Sequence, residues 1–221
     1  MVKILVGCPT SDRKKYCLKE YLESIKSLSF PSYDVLIVDN SETDEYYNEI
    51  KKELPCIKSK FYEAARKSIV ESRNILREKV LNEGYDYFLS LEQDVIPPKD
   101  VIERLLKTGN KVVSGLYFYI VDNELMPMAW GRVDDKHALR LGLKDVEEDK
   151  LIEVITAGLG CILIHRSVLE KVKFRYVEEK KPFDDVWFCE DVRESKENVY
   201  LDTSVKCKHL IKNWSWDNIK K

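Results

Sequence analysis

The sequence has few histidines and no closely spaced cysteine pairs. Its 221 residues include three histidines and six cysteines, and no two cysteines stand in a C-x-x-C arrangement. Structural zinc sites need paired Cys or His ligands at short spacing, so Cys207 and His209 alone do not indicate zinc. The chain is also too long for a typical disulfide-stapled mini-fold. We therefore expect reduced thiols, mostly acting as small core side chains, in a cytoplasmic protein.

Long apolar runs and blocks of one charge are absent as well. No apolar stretch approaches the ~18 to 20 residues that cross a bilayer, and the apolar run over 2–7 is too short for a secretory signal. The formal net charge is −2, and no Lys/Arg block is long enough to follow a nucleic-acid backbone. The sequence therefore predicts no transmembrane segment, no secretory signal and no nucleic-acid partner.

The composition is typical of a globular protein, and the first half alternates two kinds of segment. Hydrophobic residues make up 44% of the chain and charged residues 34%, which favours a folded domain over a disordered chain. The strand-like apolar runs are 2–7, 33–40, 57–63, 86–91 and 111–119. The amphipathic helical patterns between them are 14–28, 41–54, 66–84 and 99–109. This alternation predicts an α/β fold with a mostly parallel central sheet flanked by helices on both faces.

The second half is less regular. We predict a polar loop over 121–150, followed by a strand, a glycine-rich turn, a strand and a short helix over 151–172. Segment 181–198 is expected to end in a helix, and 199–210 to contain two short strands. Because the sequence shows no repeat, low-complexity tract or linker, we predict a single domain over 1–221.

Acidic residues follow two of the predicted buried strands. Glu92 and Asp94 end one strand, just before Pro97 and Pro98, and Asp39 ends another. Ligands of open α/β sheets bind beyond the carboxyl ends of the strands, and two close carboxylates repel unless a cation, a proton or a basic partner relieves them. Carboxylate oxygens favour Mg²⁺ or Mn²⁺. The pattern therefore indicates a divalent-metal site, with Asp39 placed to accept hydrogen bonds from a nucleotide base or ribose.

Each of these residues also has a purely structural interpretation. Glu92 and Asp94 can be loop-entry acids, and Asp39 can accept hydrogen bonds from turn backbone. A lone histidine such as His209 is more often structural than a metal ligand. Gly158 and Gly160 can be ordinary turn glycines, although small residues also let the backbone approach a ligand closely.

Seven short motifs, in this order, resemble those of nucleotide-sugar-dependent glycosyltransferases of the GT-A fold, especially glycosyltransferase family 2. The matching segments are VGCPTSDR (6–13), VDNSETD (38–44), SRN (72–74), EQD (92–94), GLGCILIHRS (158–167), CEDVRE (189–194) and His209. Glu92 departs from the family's D-x-D pattern, in which an aspartate stands first. The resemblance covers residues 2–118 and patches near 156–172 and 185–209.

The resemblance implies that five of the matched residues bind the nucleotide part of a donor. Pro9, Thr10 and Asp39 would line the nucleotide pocket. Arg73 would help to hold the base or the diphosphate. Glu92 would contact the ribose or the metal, with a longer side chain than the family's aspartate has.

Three further residues would carry the chemistry. The resemblance implies that Asp94, the last acid of the D-x-D-like motif, is the main metal contact, and that His209 completes the metal site. Asp191 matches the general base, which takes the proton of the acceptor hydroxyl. The metal would be Mn²⁺ or Mg²⁺.

The resemblance also implies a fold and an activity. The fold is the GT-A, Rossmann-like nucleotide-diphospho-sugar transferase fold, with 1–118 as the nucleotide-binding half. The acceptor-binding half, 119–221, ends in a tail whose Trp214 and Trp216 have no assigned role. The activity would be that of a metal-dependent, inverting glycosyltransferase of the hexosyltransferase type. It would move a sugar from a nucleotide-diphosphate sugar to a hydroxyl of a glycan, lipid-linked or protein acceptor.

Two alternatives stay open. The first is a nucleotidyltransferase that makes nucleotide sugars on a related sheet. Such an enzyme is expected to have a glycine-rich, arginine-containing phosphate loop after the first strand, whereas the segment GCPTSDRKK over 7–15 contains one glycine. The second is a non-catalytic nucleotide- or sugar-binding module, in which the acids are structural.

Overall fold

Strands and helices alternate through the first half of the chain, and short strands dominate the second. The computed structural model describes residues 2–122, 124–134, 138–180 and 182–211. Its strands are β1 (Ile4–Thr10), β2 (Tyr33–Asp39), β3 (Cys56–Lys58), β4 (Tyr87–Leu91), β5 (Val95–Ile96), β6 (Val112–Leu116), β7 (Phe118–Val121), β8 (Glu124–Pro127), β9 (Ala129–Arg132), β10 (Ala138–Arg140), β11 (Leu151–Val154), β12 (Thr156–Ala157), β13 (Cys161–His165), β14 (Val199–Lys206) and β15 (Lys208–His209). Its α-helices are α1 (Leu18–Lys26), α2 (Glu45–Ile50), α3 (Ala65–Asn82), α4 (Val101–Lys107), α5 (Arg166–Leu169) and α6 (Asp184–Glu194). Two 3₁₀ helices span Asp12–Cys17 and Leu143–Val146.

One large sheet runs through the molecule. It has eight strands in the order β11-β14-β6-β13-β4-β1-β2-β3. The pairs β2–β3, β1–β2, β1–β4 and β6–β14 are parallel, while β13 is antiparallel to both β4 and β6 and β11 is antiparallel to β14. The predicted α/β fold with a mostly parallel sheet is confirmed.

Helices cover both faces of this sheet, because successive side chains of a buried strand point to opposite faces. On β1, Leu5 packs into a cluster with apolar residues of α3, α5 and α6. Ile4 and Val6 pack into a second cluster with residues of α1, α2 and α4. Strand β1 is therefore apolar up to Thr10, as its sequence predicts, and it is buried from end to end.

The segment 121–150 differs from its prediction. The sequence predicts a polar loop, but the structure forms β8, β9 and β10 there. Strand β8 pairs with β7, and β9 pairs with both β10 and β12. Each of these strands has only three or four residues, too few for an alternating pattern to stand out from the polar residues around it.

The end of β6 also differs. The predicted strand over 111–119 is interrupted at Tyr117, and β7 leaves the large sheet to pair with β8. The two short strands predicted over 199–210 are present as β14 and β15, and β15 leaves β14 to pair with β5. As a result, β7 and β15 lie over the carboxyl end of β4.

Two remaining points concern the chain as a whole. Within the described ranges, no helix combines the length and apolarity that crossing a membrane requires. Trp214 and Trp216 lie outside the described residues.

Candidate active site

A cavity of about 560 Å³ opens beside the carboxyl ends of β1 and β4. Pro9 and Thr10, from the end of β1, line one part of it. Glu92, Gln93 and Asp94, which follow β4 directly, line another. Strands β1 and β4 are parallel neighbours, so their carboxyl ends reach the same edge of the sheet, where open α/β sheets bind ligands.

Gln93, which sequence reasoning overlooked, ties these strand ends together. It is buried, and its Oε1 accepts hydrogen bonds from the Thr10 hydroxyl and, at 2.9 Å, from the Tyr46 hydroxyl. Its Nε2 donates to the backbone carbonyl of Lys14 at 2.8 Å. The amide thus holds the segment after β1 against the end of β4. In the sequence, its position in EQD, between two acids at the end of a buried strand, could have indicated this role.

Asp39 ends the next strand, β2, and does not line the cavity. Its side chain is completely buried, and Lys58 Nζ donates to Oδ2 at 2.8 Å. The Ser41 hydroxyl donates to Oδ1 at 2.6 Å. The neighbouring Asn40 does line the cavity. A direct contact between Asp39 and a nucleotide therefore stays a prediction that requires a change in these hydrogen bonds.

Asp94 and His209 meet at the floor of the cavity. Strand β15 pairs with β5 so that His209 lies opposite Val95, and the Leu210 N–H donates to the Asp94 carbonyl at 2.7 Å. The result is a distance of 3.1 Å between His209 Nε2 and Asp94 Oδ2. Both residues line the cavity, so the pairing of two short strands brings together residues that are 115 positions apart.

The hydrogen bonds of His209 decide which ring nitrogen faces Asp94 with a lone pair. Nδ1 lies 2.7 Å from the Phe118 carbonyl oxygen, which can only accept, so Nδ1 carries a proton. Nε2 donates to Asp94 Oδ2 when the ring is protonated, and in the neutral ring its lone pair can bind a cation. A backbone carbonyl holding the far nitrogen is the arrangement typical of metal-binding histidines.

The other oxygen of Asp94 is buried and, among the described residues, has no hydrogen-bond partner. Oδ2, by contrast, accepts from the Lys14 ammonium and contacts His209. Burial alone would raise the pKa of Asp94, but the hydrogen bond with His209 and the charge of Lys14 outweigh burial and hold the pKa at about 2. Asp94 is therefore a carboxylate at neutral pH, with one oxygen left to bind a ligand.

These observations fit a divalent cation held by a carboxylate and an imidazole. Within the described part of the chain, no group of three His, Cys, Asp or Glu residues could hold a metal ion. Two protein ligands are nevertheless sufficient for Mg²⁺-like ions, which usually keep waters and substrate phosphates as their remaining ligands. The unpartnered Oδ1 of Asp94 and Nε2 of the neutral His209 ring are the atoms that would bind it.

Arg73 lies in the middle of α3, is buried and lines the cavity. Its Nε donates to Asp184 Oδ2 at 2.7 Å, its Nη1 to the Ser90 hydroxyl at 2.6 Å, and its Nη2 to Glu92. Burial alone would lower the pKa of Arg73, but the charges of Asp184 and Glu92 raise it. Arg73 thus fixes two carboxylates of the cavity relative to each other, and a direct contact with a nucleotide stays a prediction.

Asp184 and Asp185 form the first turn of α6 and line the cavity. The Val186 N–H donates to Asp185 Oδ1 at 2.8 Å, and within the described residues no Lys, Arg or His forms an ion pair with Asp185. Burial and the neighbouring charge of Asp184 raise the pKa of Asp185 to about 6. A half-buried carboxyl group of this pKa can accept a proton near neutral pH.

Asp191, the base expected from the sequence, does not line the cavity. Glu190 and Asp191 lie inside α6, which begins at Asp184, seven residues before Asp191. The Asp191 carboxylate accepts two hydrogen bonds from Arg175, at 2.8 and 2.9 Å. The signal that locates the true start is two consecutive acids just after Pro182, because prolines and acids are favoured at helix N-termini.

The glycine-rich turn lies over the cavity, but another side chain occupies the space that its glycines leave. The Tyr117 hydroxyl accepts from the Gly160 N–H at 3.0 Å. A Cβ added at Gly160 would lie 2.8 Å from this phenol, and one added at Gly158 would clash with it. Gly158 and Gly160 therefore admit Tyr117, which itself lines the cavity.

Sequence comparison identifies a family, although no curated protein matches the sequence significantly. Glycosyl transferase family 2 matches residues 7–173, which is well over half of the 221-residue chain. The match includes the end of β1, all of β4 and Asp94, and it ends before α6 and β15.

Several solved structures share the fold at low sequence identity. A197 from STIV is 20% identical, with a TM-score of 0.55 over 96% of this chain and 87% of that chain. GalNAc-T7, solved with UDP, GalNAc and Mn²⁺, is 11% identical, with a TM-score of 0.68 over 97% of this chain and 45% of its own. TarS 1-349 of S. aureus, in complex with UDP-GlcNAc, is 14% identical, with a TM-score of 0.61 over 100% of this chain and 61% of its own. The present chain thus spans under half of that GalNAc-T7 chain and about three fifths of that TarS chain.

Proposed function

The chain belongs to glycosyl transferase family 2, and from that membership we propose that it transfers a sugar from a nucleotide-diphosphate sugar to an acceptor hydroxyl, with inversion at the anomeric carbon. The proposal rests on two carboxyl groups, Asp94 and Asp185, which line one cavity and differ in their surroundings. Asp94 has an unpartnered oxygen beside His209, and Asp185 has a pKa of about 6 and no basic partner within the described residues. The solved complexes of GalNAc-T7 with UDP and Mn²⁺ and of TarS with UDP-GlcNAc support a donor of this class.

The donor would lie along the ends of β1 and β4. Pro9, Thr10 and Asn40 line this side of the cavity, and backbone and side-chain groups there can bind the base and ribose. Lys14 reaches the same region, where its ammonium is bonded to Asp94. An ammonium in this position can also bind a diphosphate oxygen as a point charge.

Asp94 and His209 would hold a divalent cation, Mn²⁺ or Mg²⁺. Such a cation, when bound, stabilises the negative charge that the leaving diphosphate gains. Asp94 enters the reaction as a carboxylate because the pKa of its side chain is about 2. The hydrogen bond from His209 Nδ1 to the Phe118 carbonyl keeps the imidazole oriented.

Asp185 would act as the general base, in place of Asp191. Its carboxylate accepts the proton of the acceptor hydroxyl while the hydroxyl oxygen forms a bond to the anomeric carbon. The bond from that carbon to the diphosphate oxygen breaks, and the nucleoside diphosphate leaves with the electron pair. A single displacement of this kind inverts the anomeric configuration. Arg73 would hold α6 in place by binding the adjacent Asp184.

Two observations bear on the alternatives. A nucleotidyltransferase is expected to carry a glycine-rich loop after its first strand, whereas a 3₁₀ helix, Asp12–Cys17, without glycine follows β1 here. A non-catalytic module has no need of a carboxyl group with a raised pKa, such as Asp185, in its binding cavity. A screen of nucleotide-diphosphate sugars for donor hydrolysis, with Mn²⁺ or after chelation, tests the proposal directly. We expect at least one donor to be hydrolysed with metal and none after chelation.

Removing the Asp94 charge should weaken metal-dependent nucleotide binding more than removing the Glu92 charge does. Asp94→Asn takes away the carboxylate that faces His209, whereas Glu92 is already engaged by Arg73. We expect the affinity for a nucleoside diphosphate with Mn²⁺ to fall by at least about 10- to 100-fold in Asp94→Asn. Calorimetry with and without Mn²⁺ measures this loss. An equal or larger loss in Glu92→Gln would contradict the assignment.

The pH profile of turnover should show the ionisation of Asp185. Its raised pKa of about 6 means that the carboxyl group is protonated at lower pH and cannot accept a proton. We expect kcat for donor hydrolysis to fall about tenfold per pH unit below pH 6 and to level off above it. Binding of nucleotide with Mn²⁺, measured at the same pH values, separates this loss from protonation of the His209 imidazole, which would weaken metal binding. A rate that is constant down to about pH 5 would exclude Asp185 as the base.

A further inference from the structure

One wall of the cavity carries a stacked cation. Trp130 on β9 and Arg140 on β10 are direct partners in the antiparallel pair of these strands. The Arg140 guanidinium lies over the Trp130 ring, 4.5 Å from the ring centroid, a distance at which the cation is attracted to the ring face. Both side chains line the same cavity as Asp94 and Asp185.

Arg140 differs from the other cationic side chains of the cavity in its lack of an anionic partner. Lys14 is paired with Asp94, and Arg73 is paired with Asp184 and Glu92. Within the described residues, no carboxylate pairs with Arg140, and its Nη1 is buried without a hydrogen-bond partner. A buried donor on a charged group is costly to leave unpaired. The Nη1 group is therefore a donor that a ligand could satisfy.

The position of this pair relative to Asp185 indicates which substrate it would meet. Trp130 lies opposite Thr156 in the pairing of β9 with β12, and α6 packs against β12. Arg193 of α6 also donates to the Ile155 carbonyl, just before β12. The sheet that bears Arg140 is thus joined to the helix that begins with Asp184 and Asp185. An acceptor whose hydroxyl faces Asp185 would lie against this wall.

We propose that Arg140, held flat by Trp130, binds an acidic group on the acceptor, either a carboxylate or a phosphate. This inference rests on the proposed transferase function and names its acceptor class. A planar guanidinium can donate two parallel hydrogen bonds to a carboxylate or a phosphate. The other acids of the cavity, Glu92 and Asp185 among them, repel an anion. Arg140 therefore determines where the acidic group of the acceptor lies.

Ligand-observed NMR on the full chain tests this inference with three sugar probes. Methyl glucoside is the neutral probe, methyl glucuronide carries a carboxylate, and glucose 6-phosphate carries a phosphate. We expect at least one acidic probe to bind about tenfold more tightly than the neutral one, as a charge-assisted hydrogen bond allows. The preferred acid identifies whether the acceptor group is a carboxylate or a phosphate.

Three variants test whether Arg140 causes the tighter binding of the acidic probe. Arg140→Gln should reduce binding of the acidic probe to the level of the neutral probe, and Arg140→Lys, which keeps the charge without the planar fork, should retain part of the preference. Arg132→Gln is the matched control, because Arg132 lies on β9 with Trp130 but is exposed and does not line the cavity. This variant should keep the wild-type preference.

The outcomes separate this inference from the proposed function. Equal affinity for all three probes, no binding of any probe, or a preference that survives in Arg140→Gln would each overturn the role of Arg140. Donor hydrolysis by the same wild-type preparation reports on the transferase function independently. If donor hydrolysis is observed without an acidic preference, the acceptor inference fails and the proposed function stands.

Discussion

Replacing Asp185 with asparagine is expected to lower kcat by about 10²- to 10⁴-fold, which is the usual contribution of a positioned general base. This loss equals roughly 3 to 5 kcal/mol of barrier at 1.36 kcal/mol per decade. Asparagine has nearly the same shape as aspartate, so the first turn of α6 should persist and nucleotide binding should change little. Turnover of a hydrolysed donor and calorimetry of nucleoside diphosphate with Mn²⁺ measure the two properties separately.

Asp191→Asn is the matched control on the same helix. Asp191 bonds to Arg175 outside the cavity, and a partly exposed ion pair of this kind contributes only about 0 to 1 kcal/mol to stability. We expect its kcat to stay close to that of the wild type. If Asp191→Asn abolished turnover while Asp185→Asn retained it, the base would be Asp191, as the resemblance first implied. If neither substitution mattered, the base would lie elsewhere.

The first half of the fold could be predicted from the sequence because its signals are local. Strands β1, β2 and β4 are buried apolar runs, and each is followed by an amphipathic helix. The acids after β4 could be assigned to the ligand-binding edge for the same reason, since strand direction fixes which end faces ligands. The sequence did not predict β8, β9 and β10. Each has only three or four residues, and these are extended because they pair with other strands.

Two features of the site depend on contacts that no local pattern contains. Arg73 bonds to Asp184 over 111 positions, and His209 meets Asp94 because β15 leaves β14 to pair with β5. Asp185 was overlooked for a different reason, since the motif CEDVRE contains an acidic pair later in the same helix. The start of α6 distinguishes the two pairs, because only the acids of its first turn reach the cavity.

Replacing Arg73 with leucine should destabilise the protein severely, by about 3 to 5 kcal/mol in the free energy of unfolding. The substitution leaves Asp184, whose side chain is 5% exposed, without its cation. It also removes the hydrogen bonds to Ser90 and Glu92. Urea denaturation followed by circular dichroism measures the loss as a lower midpoint at unchanged slope.

Two further variants show whether the unpaired charge of Asp184 causes the loss of stability in Arg73→Leu. Arg166→Leu removes an exposed arginine whose Nε lies 2.9 Å from Glu170, and a surface pair of this spacing is worth only about 0.3 to 0.5 kcal/mol. Adding Asp184→Asn to Arg73→Leu should recover part of the lost stability, because no buried carboxylate is then left unpaired. If Arg73→Leu costs no more than Arg166→Leu, the ion pair does not hold α6 at the cavity, and the position of Asp185 must depend on apolar packing of α6 through Phe188 and Val192.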